Sequence, residues 1–267
     1  MRINKTAVVV AVVMSCALLA FADGKPKLTL DEFFNSVSFS SVELSPDGNS
    51  VVIGTDRADW DQQIFRNDLW LYRHDDKGAT LIQLTQSGHD TSPKWSPDGH
   101  WIAFLSDRKI ASEKGDSDSD SDSKDKDEGV SQIYLISPAG GEAFPVTQGE
   151  EEVHTFSWSA DSRTLYFATR HPWTKAQKDD YRKEWKDVLQ YRTAERGDTI
   201  FALDLESALA RHATAANKVE SESEKEKAPD LTPGARLIAK FPLRVEDMVT
   251  SPDGSKLAFI SNAINQR

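Results

Sequence analysis

The apolar positions of this chain alternate with polar ones after four similar turns. Three turns read Ser-Pro-Asp-Gly and begin at Ser45, Ser96 and Ser251, and a related Ser-Ala-Asp-Ser turn begins at Ser159. Proline presets φ, aspartate can bond its own backbone and glycine accepts a positive φ, so each tetrapeptide is typical of a tight turn. Apolar residues occupy the third and fifth positions after each turn: Val51 and Ile53, Ile102 and Phe104, Leu165 and Phe167, Leu257 and Phe259. This alternation predicts a strand with one buried face.

Further strands are predicted on both sides of these turns. Trp95 and Trp158 directly precede two of the turns and mark first strands. Third strands are predicted over residues 68–72, 132–136 and 199–203, and fourth strands over 81–85 and 143–147. Four antiparallel strands repeated every ~45 residues are the signature of a β-propeller blade. We therefore predict an all-β fold of about three and a half four-stranded blades, an incomplete ring, spanning residues 38–267.

Insertions explain the unequal spacing of the turns. Residues 113–128 are a low-complexity Asp, Ser and Lys run that cannot bury a face, so a solvated loop is expected. Residues 174–196 are predicted to form a helical insert, because Thr174 and Gln177 match a capping box and Gly197 follows as a terminator. Residues 206–212 look helical, and 213–230 form a second low-complexity insert. The alternative is that this long interval holds two degraded blades.

The fourth repeat supplies two predicted strands, over residues 244–249 and 256–261. Propellers close with about 4 to 8 blades, because an open ring leaves strand edges unpaired. The expectation is that the chain is the beginning of a longer polypeptide, and the alternative is a truncated product.

The N-terminus resembles a secretory signal. Arg2 and Lys5 precede an apolar run over residues 6–19, and Ala20-Phe21-Ala22 is a small-x-small cleavage pattern. We predict a signal peptide over residues 1–22, cleaved after Ala22, then a lead-in over 23–37. The protein would be exported to the bacterial periplasm or the extracellular space, with no membrane attachment after cleavage. An uncleaved anchor helix and a lipoprotein processed at Cys16, the single cysteine, are the alternatives.

Charge and motifs narrow the function. The formal net charge of -11 argues against a nucleic-acid partner. No cofactor or metal site is predicted, because the six histidines have no paired-ligand spacing. The acidic run from Asp116 to Asp122 lacks the glycine and glutamate of a calcium loop, so a disordered acidic loop is favoured. His89, Asp90 and His154 precede first strands and could line a propeller mouth.

One family shares these repeats. The stretch from Trp95 to Phe104, followed by Asp107-Arg108 and later by Gly140-Gly141-Glu142, resembles the propeller repeat of the Tol-system periplasmic propeller protein and of the prolyl oligopeptidase family of serine peptidases. The entry over residues 30–34 and the helical insert are similar to those of exported dipeptidyl or acylaminoacyl peptidases. This resemblance implies a C-terminal α/β-hydrolase domain that carries a Ser/Asp/His triad in a G-x-S-x-G elbow. The 267 residues contain no G-x-S-x-G, so no catalytic residue is assigned.

Two function classes follow from the resemblance. In the first, the chain is the propeller of an exported serine peptidase and gates access for short peptide substrates, with Tyr181 and Trp185 as candidate gating residues. In the second, it is a non-catalytic periplasmic propeller that binds protein partners. A third class, a propeller enzyme with a metal in its mouth, lacks the expected clusters of ligands.

Overall fold

The computed structural model describes residues 27–75, 78–108, 129–174, 196–217 and 231–262, together with residues 176, 177, 179, 180 and 183. The chain divides into two units, Met1–Val37 and Ser38–Arg267. The first unit contains helix α1 (Leu30–Phe34), which begins with a capping box between Thr29 and Glu32. The second unit contains all of the described strands.

The strands of the second unit form three blades and half of a fourth. Blade 1 contains β1 (Ser38–Leu44), β2 (Ser50–Asp59), β3 (Ile64–Asp75) and β4 (Gly78–Gln83). Blade 2 contains β5 (Asp90–Trp95), β6 (Ile102–Ser106), β7 (Gln132–Ile136) and β8 (Phe144–Pro145). Blade 3 contains β9 (Val153–Trp158), β10 (Thr164–Arg170), β11 (Asp198–Asp204) and β12 (Arg236–Lys240), and helix α2 (Leu205–Asn217) lies between its last two strands. The half-blade contains β13 (Arg244–Thr250) and β14 (Leu257–Asn262).

Each sheet follows chain order with antiparallel neighbours, which is the meander of a propeller blade. The predicted all-β fold, an incomplete β-propeller with helical insertion, is confirmed among the described residues. Strand β12 was not predicted, because the α2 segment and the charged run separate it from the rest of its blade. Helix α2 also continues to Asn217, five residues beyond the predicted helical stretch. Alanines extend it, and Asp204 caps its start by accepting the Ser207 N–H at 2.8 Å.

The four turns share one hydrogen-bond pattern. In the first, the Ser45 hydroxyl donates to Asp47 Oδ1 at 2.5 Å, while Ser45 Oγ accepts the Ser50 N–H at 2.9 Å. The degenerate turn at Ser159 repeats both bonds, and Ser162 adopts φ 62° where the others have glycine. In the last turn, bonds from Ser251 and Ser255 lower the pKa of Asp253 to about 2. The turn is therefore specified by serine and aspartate as much as by glycine.

The prediction of one buried face per strand is wrong for the central blade. All five residues of β6 and all five of β7 are buried. Ile102 and Phe104 pack with Val52 and Leu69 of blade 1, whereas Ala103 and other residues on the opposite face pack against blade 3. Blades stack face to face, so a blade with neighbours on both sides buries both of its faces.

Tryptophan side chains tie successive blades together near the turns. Trp95 Nε1 donates to the Glu43 carbonyl of blade 1 at 3.1 Å, and Trp158 Nε1 donates to the Lys94 carbonyl of blade 2 at 3.2 Å. Lys94 Nζ also crosses to blade 3, where it donates to the Phe156 carbonyl at 2.8 Å. Burial lowers the pKa of Lys94. The repeated tryptophan therefore fixes the spacing of adjacent first strands.

Candidate functional site on the loop face

Strand order places two kinds of connection on opposite faces of the propeller. The Ser-Pro-Asp-Gly turns join first to second strands on one face, which we call the turn face. The connections from second to third strands, over residues 60–63, 107–131 and 171–197, leave the opposite ends of the strands. The links between blades, over 84–89, 146–152 and 241–243, leave the same ends. We call this second face the loop face, and both long insertions before third strands begin and end on it.

A long β-hairpin rises from the loop face of blade 1. The β2–β3 pairing continues for four residue pairs beyond Thr55 and Asp68, from Asp56–Asn67 to Asp59–Ile64. The equivalent pairing in blade 2 ends at Ser106 and Gln132. We call residues 56–67 the arm. Its large apolar side chains are unusually exposed: 69% for Phe65, 59% for Trp60 and 41% for Ile64.

A cleft of about 1070 Å³ lies between the arm and the loop face of blade 2. Ile64 and Phe65 contribute to its arm side. On the blade 2 side, His89 Nδ1 lies 2.8 Å from Asp107 Oδ1, and these side chains remain 37% and 38% exposed. The cleft therefore combines two exposed apolar side chains of the arm with an accessible carboxylate.

The other charged residue that lines this cleft is already paired. The Arg108 guanidinium donates to Asp90 Oδ1 at 2.5 Å, and its Nε donates to Ser106 Oγ at 2.9 Å. Its central carbon lies 4.7 Å from the centre of the Tyr134 ring. Burial raises the pKa of Tyr134, so this phenol remains neutral beneath the guanidinium. Asp90 is fully buried and is not among the residues that line this cleft, whereas His89 is one of them.

A second cleft, of about 510 Å³, continues from Asp107 towards blade 3. Glu151 and Glu152 contribute to its lining. The Arg196 guanidinium donates to both carboxylate oxygens of Glu151, at 2.5 and 3.0 Å. Arg170 lies 3.8 Å from Glu152. These guanidiniums offset part of the negative charge along the link between blades 2 and 3.

Both ends of the predicted helical insert of blade 3 are anchored on the loop face. At its start, Gln177 Oε1 accepts the Thr174 N–H at 2.9 Å and Thr174 Oγ1 accepts the Gln177 N–H at 3.3 Å, as a capping box requires. At its end, Arg196 also donates to the His171 carbonyl at 3.1 Å and lies 4.7 Å from the Trp173 ring. A Cβ at Gly197 would lie 1.9 Å from the Phe241 carbonyl oxygen, so no side chain fits there. The candidate gating residues, Tyr181 and Trp185, lie outside the described residues.

His154 has a structural position rather than one at the mouth. Its Nε2 lies 2.6 Å from Asp198 Oδ2, and both side chains are buried. Asp198 Oδ2 also accepts the Val245 N–H of the half-blade at 2.6 Å. The interpretation of His154 as a mouth residue is therefore wrong, because its ring joins two strands of blade 3 beneath the surface. The spacing of His154 and Asp198 in the sequence carries no signal of this contact.

Over the described part of the chain, no group of three or more His, Cys, Asp or Glu side chains could hold a metal ion. The acidic run from Asp116 to Asp122 lies outside that part. Within the same residues, no helix has the length and apolar character needed to cross a membrane.

The chain is similar in part to several known proteins. No model of a known family matches the chain. The uncharacterised peptidase YuxL of Bacillus subtilis is 26% identical over 141 residues, which make up 53% of this chain and 19% of that protein. An acylaminoacyl peptidase of Pyrococcus horikoshii is 17% identical, with a TM-score of 0.43 over 66% of this chain and 24% of that one. TolB of Acinetobacter baumannii is 14% identical, with a TM-score of 0.44 over 87% of this chain and 39% of that one.

The chain is an incomplete β-propeller, an assignment that rests on its own blades and their pairing. The sequence relative, YuxL, is named as a peptidase. The matched segment spans about a fifth of that relative.

The sequence predicted a residue on the blade 2 side of the cleft, but it did not predict the arm on the opposite side. His89 was recognised because it directly precedes a first strand. The arm was missed, although the four residues between Asp59 and Ile64 are a typical hairpin length. The Glu151–Arg196 pair could not be found, because the inserted segment separates its members.

Proposed function

We propose that this chain is the propeller part of an exported serine peptidase and that its loop face receives short peptides on their way to a catalytic α/β-hydrolase domain. One observation carries the proposal: the arm, both clefts and the anchored ends of the helical insert all lie on the loop face. The resemblance to a peptidase over 141 residues supports it. Hydrolysis would take place on residues outside this sequence.

Gating on this face would be steric and electrostatic. A propeller that covers an active site admits a chain that can thread past its loops and excludes a folded protein. Tyr181 and Trp185 are proposed to shape the substrate path from the helical insert, whose ends Arg196 and Gly197 hold in place. Replacement of both aromatic residues by alanine should change the KM for short peptides, and unchanged cleavage kinetics would contradict this role.

The decisive experiment uses the product of the complete reading frame. We expect a G-x-S-x-G elbow beyond residue 267 and hydrolysis of short chromogenic peptides, with folded proteins left intact. Replacement of the elbow serine by alanine should abolish hydrolysis. A reading frame without the elbow, or a purified product without peptidase activity, would contradict the proposal.

Export is also part of the proposal. The residues that would form the signal peptide lie outside the described part of the chain. Intact-mass analysis of protein from the periplasm should show cleavage after Ala22. A cytoplasmic protein that retains Met1 would contradict export.

A non-catalytic propeller of the Tol type is the second candidate. It is favoured by the repeat itself, which resembles that of the Tol-system periplasmic propeller protein as well as that of the peptidases. This candidate predicts that the loop face binds a protein partner and that a serine-directed probe such as a fluorophosphonate labels no residue of the complete product.

A further inference from the structure

The exposed apolar side chains of the arm require an explanation of their own. Phe65 and Ile64 form part of the cleft wall while large fractions of their surface remain in water. Exposed aromatic side chains beside a concave surface are typical of a binding site, because their burial by a partner releases water. The β2–β3 pairing holds the arm in register as far as Ile64, so this wall is supported by strand pairing.

The charge of the cleft selects the kind of partner. Asp107 and Arg108 are the charged residues that line it among those described, with histidine counted as neutral. The charge of Arg108 is matched by the buried carboxylate of Asp90, which lies 2.5 Å away. Asp107 has only the ring of His89 as its described partner and retains 38% exposure. The cleft therefore offers one accessible negative charge.

The size and lining of the cleft are compatible with an extended ligand. At about 1070 Å³ the cleft lies at the upper end of the volumes of ligand pockets, which measure about 300–1,000 Å³. Asn67, Thr91 and Ser131 also line it and could bond to peptide groups. An extended peptide uses both features, because its backbone needs polar partners along its length while its side chains reach separate positions.

We propose that the cleft between the arm and blade 2 binds a peptide segment that packs an apolar side chain on Phe65 and places a lysine or arginine side chain against Asp107. This inference rests on the proposed function, in which the loop face receives peptides, and it adds the chemical class of the substrate. Asp107 is then a specificity-determining residue of the propeller.

The inference is tested by measuring the binding of short peptides with capped ends to the chain of 267 residues. The probes are N-acetylated, C-amidated peptides with phenylalanine and lysine separated by one, two or three glycines, and matched peptides with glutamine for lysine. Binding is followed by calorimetry and by the NMR shifts of the Gly88 and Ser131 amides. We expect the best lysine peptide to bind about twofold to fivefold more tightly than its glutamine counterpart.

Two substitutions separate the two contacts. Asp107→Asn should reduce the preference for lysine to about one, and Phe65→Ala should weaken both peptides about fivefold or more without changing their ratio. The matched controls are Glu142→Gln, in the turn-face connection of blade 2, and Leu81→Ala, on β4 of blade 1, and neither should alter binding. Thermal unfolding of each variant establishes that the fold is retained.

Several outcomes would overturn the inference. These are no measurable binding, equal binding of lysine and glutamine peptides, or a lysine preference that survives Asp107→Asn. A further probe is the same peptide without the N-acetyl group. If its free amino terminus raises the affinity while lysine in place of glutamine does not, the assignment of a lysine or arginine side chain to Asp107 is overturned. Hydrolysis by the complete product does not require Asp107, so intact hydrolysis without peptide binding would overturn this inference alone. Asp107-dependent binding without hydrolysis would contradict only the peptidase proposal.

Discussion

Blade 2 and blade 1 have the same strands and turns but very different burial. Phe104 in β6 and Ile53 in β2 occupy equivalent positions, each opposite an aromatic residue of the third strand, Tyr134 and Trp70. Phe104 is fully buried against blade 1, whereas Ile53 is half-buried. The face of blade 1 that carries Ile53 is the one that would contact a preceding blade. Identical sequence patterns therefore give a core or a surface according to the neighbour.

We call the face of blade 1 that carries Ile53 its outward face. Apolar side chains are exposed on the first and fourth strands of this face, whereas the equivalent side chains of blades 2 and 3 are covered. Strand pairing places Val42, Leu44, Val51 and Leu81 on the same side as Ile53. Val42, Leu44 and Leu81 are 60%, 62% and 58% exposed. Their counterparts in blades 2 and 3 lie in the cores between blades.

The largest expected effect tests the comparison directly. Phe104→Ala should cost about 3–5 kcal/mol, because it removes a fully buried ring between two blades, whereas Ile53→Ala should cost less than about 2 kcal/mol. Urea denaturation followed by tryptophan fluorescence measures the free energy of unfolding for each. Equal losses would show that blade 1 is covered in solution as fully as blade 2.

A slightly smaller contrast is expected between two His–Asp pairs. Asp198→Asn should destabilise the protein by about 3 kcal/mol, because the buried pair with His154 also holds the Val245 N–H of the half-blade. Asp107→Asn, in the half-exposed pair with His89, should cost less than about 1 kcal/mol. The same denaturation curves measure both variants, and a larger loss for Asp107→Asn would reverse the assigned roles.

The outward face of blade 1 should tolerate charge. Leu44→Lys and Leu81→Lys together should change the free energy of unfolding by no more than about 1 kcal/mol, since both side chains are already in water. The double variant should bind less of a dye specific for apolar surface and should self-associate less in sedimentation experiments. A stability loss near that of Phe104→Ala would mean that this face is buried.

The smallest effect concerns the turns, which are alike in every blade. The folded-state pKa of Asp253 is lowered to about 2 from its ordinary 3.8, so its contribution is complete above the ordinary value and is lost as pH falls through about 2. Asp253→Asn should therefore lower the Tm slightly at pH 6 and make little difference near pH 2. A Tm difference that grows on acidification would contradict this sign.

The local structure of this protein follows from residues that are close in the chain. Within each turn, Ser45 and Asp47 and their equivalents bond groups at most five residues away, and for this reason the turns and most strands could be predicted. The same locality explains the correct capping box at Thr174. Strand β12 could not be predicted in this way, because β11, the strand with which it pairs among the described residues, lies before a long insertion.

The candidate site depended much more on tertiary structure. His89 and Asp107 belong to different strand ends, and the cleft beside them exists only because the arm of blade 1 stands next to blade 2. His154 and Asp198 became a buried pair because β9 and β11 flank the same strand, β10. By itself the sequence determined the turns, the strand periodicity and the repeat, all of which arise from local hydrogen bonds and alternation. The stacking of neighbouring blades decided which apolar faces are core, and strand pairing within a blade decided which charges meet, because neither is set by residues close in the chain.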